Sequence, residues 1–449
     1  MKRLLKFLGY FLGAILLFLV LTISPIDRNP FEESEAWKSS MEKIEKLPFS
    51  ESTQNSTLFV SWAKANITPK EAVWLPAYGL RGDYQSVHDS SFVSVAAFKS
   101  HEKELFILGI DLMLFPPDLV AALEEKLSAL NLTKDNFLFT ATHTHNGFGG
   151  WQDSPAGLFI AGPYEEELVI DTISDQIIAT IKEARKDYQK GKLSWLEIEA
   201  QELTNNRISR EGTKDAQIRT LKLQKEDGSI GLVTSFAAHP TSLSKKIKEL
   251  SRDYPGVLVD KLEADSKIDF AMFSAGMVGS QSPNYKLAKN YELVETLGNA
   301  VADSILIHYS NDDSVSSNTL FLEHFTLDFE GAQLRIAKDW KVNNWFFEWA
   351  MGDFSPEITV SRIGDVLWIG MPADFSAEIV VDHQLDKYAA KKGLKLMITS
   401  FNGNYIGYIM PDKYYDTSKK AEVREMNWVG PYKGEFFAQV IKKIIDKVS

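Results

Sequence analysis

From residue 57 to the C-terminus, apolar residues recur by turns at every second position and at every third or fourth. The first period fits strands and the second amphipathic helices. Strands are expected at 57–63, 92–98, 104–110, 136–141, 193–199, 217–223 and 230–236, then at 320–327, 358–363, 366–369 and 394–399. Between them, Pro116-Pro117-Asp118 opens a helix with Leu119, Leu123, Leu127 and Leu130 on one face. A long helix is expected over 164–186, with Ile170, Ile173, Ile177 and Ile181 at helical spacing, and others over 255–263, 291–308, 376–388 and 435–448. Strands alternating with helices, undivided by any proline- or glycine-rich linker, predict one large mixed α/β domain over residues 57–449.

The N-terminus is of another kind. Lys2, Arg3 and Lys6 precede 17 uncharged residues, Phe7 to Ile23. That run reaches the lower length limit of a spanning helix and lacks a clear small-residue cleavage site. It reads as a signal anchor over 1–26, the alternative being a cleaved signal peptide and secretion. Cations before the apolar run place the remainder on the non-cytoplasmic side, periplasmic or extracellular. The polar residues 27–56, with a short helical stretch over 33–47, read as a stalk.

Composition narrows the chemistry. The net charge of −12 opposes binding to a phosphate backbone, so no nucleic-acid partner is expected. The chain has no cysteine, so any metal must be held by His, Asp, Glu or Tyr.

Several candidate groups lie at strand ends, where α/β proteins place function. Thr142-His143-Thr144-His145 runs into a glycine-rich loop. In an extended backbone His-x-His presents both imidazoles on one side, as one metal ion requires, although a polar loop with hydrogen-bonded histidines has the same sequence. His239, in Ala238-His239-Pro240-Thr241, ends another apolar strand and is a ligand or a satisfied buried histidine. The segment from Gly279 to Asn284 carries small residues and Ser282, a turn or a site of backbone approach. Asp374 lies between a strand and a helix and is a ligand or a helix cap. Tyr408 follows a further strand. His101, His308, His324 and His383 have no motif around them.

Taken in order, these motifs resemble the catalytic domain of the neutral/alkaline non-lysosomal ceramidases, from about Val60 to Pro431. The resemblance includes Ala65-Asn66-Ile67-Thr68-Pro69, Val87-His88-Asp89, Asp111-Leu112, Asn206-Arg207, Asp253-Tyr254-Pro255-Gly256, Gly279-Ser280-Gln281-Ser282-Pro283 and Gly407-Tyr408. It implies one zinc ion, held by His143, His239, Asp374 and Tyr408. Asp374 stands where the family has a glutamate, one methylene longer. His145 would orient groups or exchange protons beside the metal, Ser282 would be the active serine, and Arg207 would face the substrate. The family's second tyrosine has no match near Lys420. His88, Asp89, Asp111 and Asp253 would orient ligands or serve turns and caps. The implied activity is hydrolysis of the amide of ceramide or a similar N-acyl lipid, a membrane-borne partner. Two alternatives remain: a zinc hydrolase of another amide or ester, and a decayed lipid-binding protein. Family members carry a further C-terminal β-sandwich domain, which is not expected here. The oligomeric state is not legible.

Overall fold

The computed structural model describes residues 2–49, 56–101, 103–310 and 313–449. Its largest sheet runs in the order Phe270–Ala275, Ile230–Phe236, Gln217–Lys225, Gln189–Glu199, Phe59–Asn66, Phe92–Ser100, Lys103–Ile110, Phe137–Ala141. Asp313–Ser314 adds a short antiparallel pairing on Gln189–Glu199. The two outermost pairs of the main order are parallel and the pairings between them antiparallel. Both sheet faces are covered, so these strands read as nearly continuous apolar runs. In Lys103–Ile110, Phe106 and Leu108 face a helical layer while Ile107 faces a second sheet. That helical layer includes Pro117–Leu127, Ser174–Ala184, Tyr254–Glu263 and Tyr291–His308.

The second sheet has four strands, in the order Leu320–Thr326, Glu357–Ile363, Val366–Gly370, Lys395–Thr399. Leu320, Ile363, Trp368 and Met397 fill the space between the sheets against Val60, Phe98 and Leu138. Helices Ala377–Asp382, Leu385–Lys391 and Lys433–Val448 cover its outer face. The result is four layers, helix–sheet–sheet–helix. No C-terminal β-sandwich is identified among the described residues.

The two edges of the large sheet approach each other, with Phe270–Ala275 packed on Phe137–Ala141. The C-terminal ends of Phe137–Ala141, Ile230–Phe236 and Phe270–Ala275 therefore meet, and each feeds a loop into one place.

The N-terminal helix spans Lys2–Thr22 and is exposed along its length except at Thr22. The segment expected as a stalk follows it. Ile23–Pro25 pairs at once with Trp340–Val342. Asn343 donates its backbone N–H to the Thr22 carbonyl (2.8 Å) and its amide to Leu21 (2.7 Å), and the Trp345 indole also donates to Leu21 (2.8 Å). These donors satisfy carbonyls that the end of a helix leaves open. Farther on, Glu35–Glu45 is a helix capped by Ser34, and Phe31, Met41, Ile44 and Leu47 are buried against the C-terminal helix. A narrow apolar stripe on an otherwise charged helix was enough to dock it. Residues 50–55 of the expected stalk lie outside the described residues.

Two expected helices differ in form. The one over 164–186 is π-helical through Glu167–Ile173 and α-helical over Ser174–Ala184. The one over 376–388 is split by Gln384, whose φ of +52° is left-handed. Pro155–Ala161 and Asn344–Met351 are helices with no counterpart in the expected pattern.

Candidate metal centre

His143 and His145 follow the strand Phe137–Ala141, and His239 follows Ile230–Phe236. Their Nε2 atoms form a triangle: 2.9 Å between His143 and His239, 3.0 Å between His145 and His239, and 3.2 Å between His143 and His145. The approach differs from the expected extended one. His143 has φ of +62°, a left-handed conformation uncommon outside glycine, and this turn directs its ring at its neighbours. The ring stacks on Phe401 at 3.9 Å.

The other ring nitrogens decide what the triangle can do. His143 Nδ1 donates to the Met113 carbonyl, and His239 Nδ1 faces the Val278 carbonyl at 3.4 Å. A proton held on Nδ1 leaves Nε2 as a bare lone pair. Two buried lone pairs thus face each other at 2.9 Å, an arrangement a cation satisfies. Burial lowers the pKa of all three histidines, to about 3 for His143, and so keeps them in the neutral form that binds metals. His145 Nδ1 is buried without a hydrogen-bond partner.

Asp374 lies beside the triangle. It pairs in parallel register with Tyr408 through a two-residue strand contact. Its Oδ2 accepts from the Tyr405 hydroxyl at 2.7 Å. Its Oδ1 is buried with no hydrogen-bond partner, 3.7 Å from His143 Nε2 and 3.6 Å from His239 Nδ1. Burial pushes this carboxyl up to about 7, against the pull of Arg207 and two tyrosine hydroxyls. Tyr408 accepts from Arg207 Nη2 at 2.9 Å, and Arg207 Nε donates to the Gly279 carbonyl at 3.0 Å. Arg207 is held above its usual value: burial opposes its charge but is outweighed by Tyr408, Glu422 and Asp374. Burial raises Tyr408 in turn.

The structure brings together His143, His145, His239, Asp374, Tyr408 and Arg207. Ser282 is different. It lies in a short strand opposite Asn205, and its hydroxyl makes only a 3.5 Å bond to the Asn205 carbonyl. No hydrogen bond among the described residues joins it to the histidines. The other motif residues organise backbone. Asp89 clamps Arg252 and Ser251, Asp111 accepts from the Phe92 N–H, and Asp253 caps the helix beginning at Tyr254.

A cavity of about 300 Å³ opens on the centre. His143, His145, Asp374 and Tyr408 line its polar end; Tyr78, Met113, Trp151, Ile160 and Trp428 are among its largely apolar walls. Sequence reasoning missed Tyr405, which fills the hydrogen-bonding place on Asp374. The available signal was a second tyrosine three residues before Tyr408. The aromatic walls had none, because tryptophans far apart in sequence meet only through the fold.

An α/β domain with imidazoles converging beside a buried carboxylate at its strand ends has the donor set of a metal-dependent hydrolase. The family described as neutral/alkaline non-lysosomal ceramidase, N-terminal, matches residues 95–295 of the chain. A neutral ceramidase of Pseudomonas aeruginosa is 28% identical over 170 residues, 34% of this chain. The aligned part spans 25% of that curated relative's length. The crystal structure of neutral ceramidase from Pseudomonas aeruginosa superposes with a TM-score of 0.74 at 19% identity, covering 88% of this chain and 74% of that one. A ceramidase complexed with C2 superposes with a TM-score of 0.71 at 18% identity, covering 87% and 75%.

Proposed function

We propose that the chain is a membrane-anchored, zinc-dependent amidohydrolase that cleaves the N-acyl amide of ceramide or a similar N-acyl lipid to an amine and a fatty acid. The observation that carries this reading is the pair of facing imidazole lone pairs with the unpartnered Asp374 carboxylate oxygen, set at the polar end of an apolar cavity. His143, His239, Asp374 and Tyr408 are the proposed ligands. Zinc held there would supply Lewis acidity, making water more acidic and a carbonyl more electrophilic. His145 is the proposed proton carrier. Its Nδ1 is tied to no carbonyl, so its proton is free to sit on either nitrogen, unlike those of the two histidines beside it. Arg207 holds the Tyr408 hydroxyl and supplies positive charge near the developing oxyanion. Ser282 remains the proposed active serine. The apolar walls suit acyl chains and exclude water.

The exposed helix Lys2–Thr22, behind its cations, supports anchoring with residues 57–449 on the non-cytoplasmic side. The test is hydrolysis of N-acylsphingosines by the purified chain beside His143→Ala and His239→Ala. Loss of both zinc and turnover in each variant is expected. Retention of both in either variant refutes the reading. Turnover confined to peptides or esters in a parallel panel would instead favour a different hydrolase.

A further inference from the structure

The surface around the end of the N-terminal helix is unusual. Asn344–Met351 buries Phe347 against Trp428, a cavity wall, at 5.5 Å between ring centroids. Its opposite face leaves Trp345 and Trp349 55% and 60% exposed. Pro155–Ala161 packs beside it and follows the same plan. Ile160 lines the cavity, while Leu158 and Phe159 are 44% and 66% exposed. Trp340, directly across from Pro25 in the exit strand pair, is 49% exposed. Exposed aromatic and aliphatic side chains gather on two adjoining short helices, a concentration a water-facing domain does not ordinarily carry.

The N-terminal helix says what covers it. Phe18 packs edge-to-face on Phe346 of the same short helix at 5.8 Å. Phe18 lies four residues before Thr22, about 6 Å down the helix axis at 1.5 Å per residue. An apolar helix that spans a bilayer therefore carries Asn344–Met351 to the depth of its own last turn, where tryptophans gather at membrane interfaces. The hydrogen bonds from Asn343 and Trp345 to Leu21 and Thr22 fix the two against each other.

We propose that the outward faces of Pro155–Ala161 and Asn344–Met351 lie in the head-group region of the leaflet on which the domain sits, so that the histidine-bearing cavity receives its lipid sideways from that leaflet. This rests on the anchored reading above. Each short helix turns one face to the cavity and the other to lipid, so the cavity wall and the membrane contact are two sides of one element. An N-acyl lipid then reaches the site without its chains crossing water.

The chain contains no cysteine, so single labels are unambiguous. Full-length Phe159→Cys, Trp349→Cys and, in an exposed turn, Glu226→Cys would each carry a nitroxide and be reconstituted in phosphatidylcholine–phosphatidylglycerol vesicles. Power saturation with oxygen and a water-soluble nickel chelate reads depth. Labels at 159 and 349 are expected to favour oxygen, and the label at 226 the nickel chelate. Nickel accessibility at 159 and 349 equal to that at 226, in protein that floats with the vesicles, overturns the proposal and spares the anchor. Protein that fails to float overturns both. A second measurement uses Phe159→Ser with Trp349→Ser. The pair should lower kcat/KM on vesicle-embedded N-acylsphingosine by about tenfold, as expected when apolar area leaves an interface, and leave a water-soluble short-acyl analogue unaffected. Equal loss on both substrates overturns the proposal.

Discussion

Stripping the proposed metal should cost the protein measurable stability, and the size of the effect follows from the site. The Nε2 lone pairs of His143 and His239 face each other at 2.9 Å, with their protons committed to the Met113 and Val278 carbonyls. Without a cation, His145 can offer one N–H to this pair. Buried acceptors left unsatisfied cost about 1–3 kcal/mol each. From the ligand side, a metal present at a hundred times its dissociation constant stabilises the folded state by about 2.7 kcal/mol. A chain of this length has an unfolding entropy of roughly 0.9 kcal/mol/K at about 2.1 cal/mol/K per residue. The expected rise in melting temperature is therefore about 3 °C when zinc is restored to chelated protein, and about 4–5 °C at a thousandfold excess. Scanning fluorimetry in detergent, with a calorimetric titration for stoichiometry, reads both quantities. His239→Ala should abolish the increment, and His145→Ala should keep most of it. An unchanged melting temperature on adding zinc, or the full shift in His239→Ala, would refute the argument that these lone pairs are arranged for a cation.

Three further outcomes follow. Tyr405→Phe removes the hydroxyl that donates to Asp374 at 2.7 Å; metal affinity should fall by about 10–100-fold with the circular dichroism unchanged, the usual effect of losing an outer hydrogen bond to a ligand. Gly407→Ala forces a side chain into a backbone of φ +84°, with its Cβ 2.4 Å from the Met426 carbonyl oxygen; it should destabilise the fold by about 1–3 kcal/mol in a denaturant melt and weaken metal uptake, because the Gly407 carbonyl positions Asp374. Lys433, buried over the Phe31 ring, has its pKa pushed down to about 7 by desolvation, against the pull of Glu330, Asp27 and Asp412. The unfolded chain holds that proton up to its ordinary value of 10.5, so between about 7 and 10.5 the native state binds fewer protons and stability rises with pH. The stability of the wild type relative to Lys433→Met should therefore increase in urea melts from pH 7 to pH 9.5, and a flat difference would contradict it.

The layers of the fold were legible because burial on both faces of a sheet writes itself as apolar runs, and the strand spans came out within a few residues. The centre was legible in part for a related reason. Strand ends followed by His143, His239 and Asp374 are short-range patterns, and their order along the chain carries the rest. What sequence did not carry is conformational. His143 turns inward through a left-handed backbone, and no periodicity announces that. Gln384 breaks a helix whose apolar spacing continues through it. Helix 344–351 carries four tryptophans and phenylalanines on more than one face, and only the docking of Phe18 on Phe346 and of Phe347 on Trp428 gives the pattern sense. Residues 31–47 read as polar because their apolar stripe is one residue wide, and its partner is the C-terminal helix.

That last pairing has a consequence for biosynthesis. Phe31, Met41, Ile44 and Leu47 find their cover in Phe436, Phe437 and Ile441. Some 390 residues separate the two segments, and at about 5–20 residues per second the ribosome needs roughly 20–80 s to supply the second. Through that interval the apolar stripe has only partial cover, such as Phe329 against Phe31, and if the preceding helix is anchored as proposed it waits beside the membrane. The outer layer of the smaller sheet is thus closed by the two ends of a long wait. A nascent chain stalled before residue 433 presents a stripe without its C-terminal cover, which on the anchored reading a holding chaperone or the lipid surface must shelter.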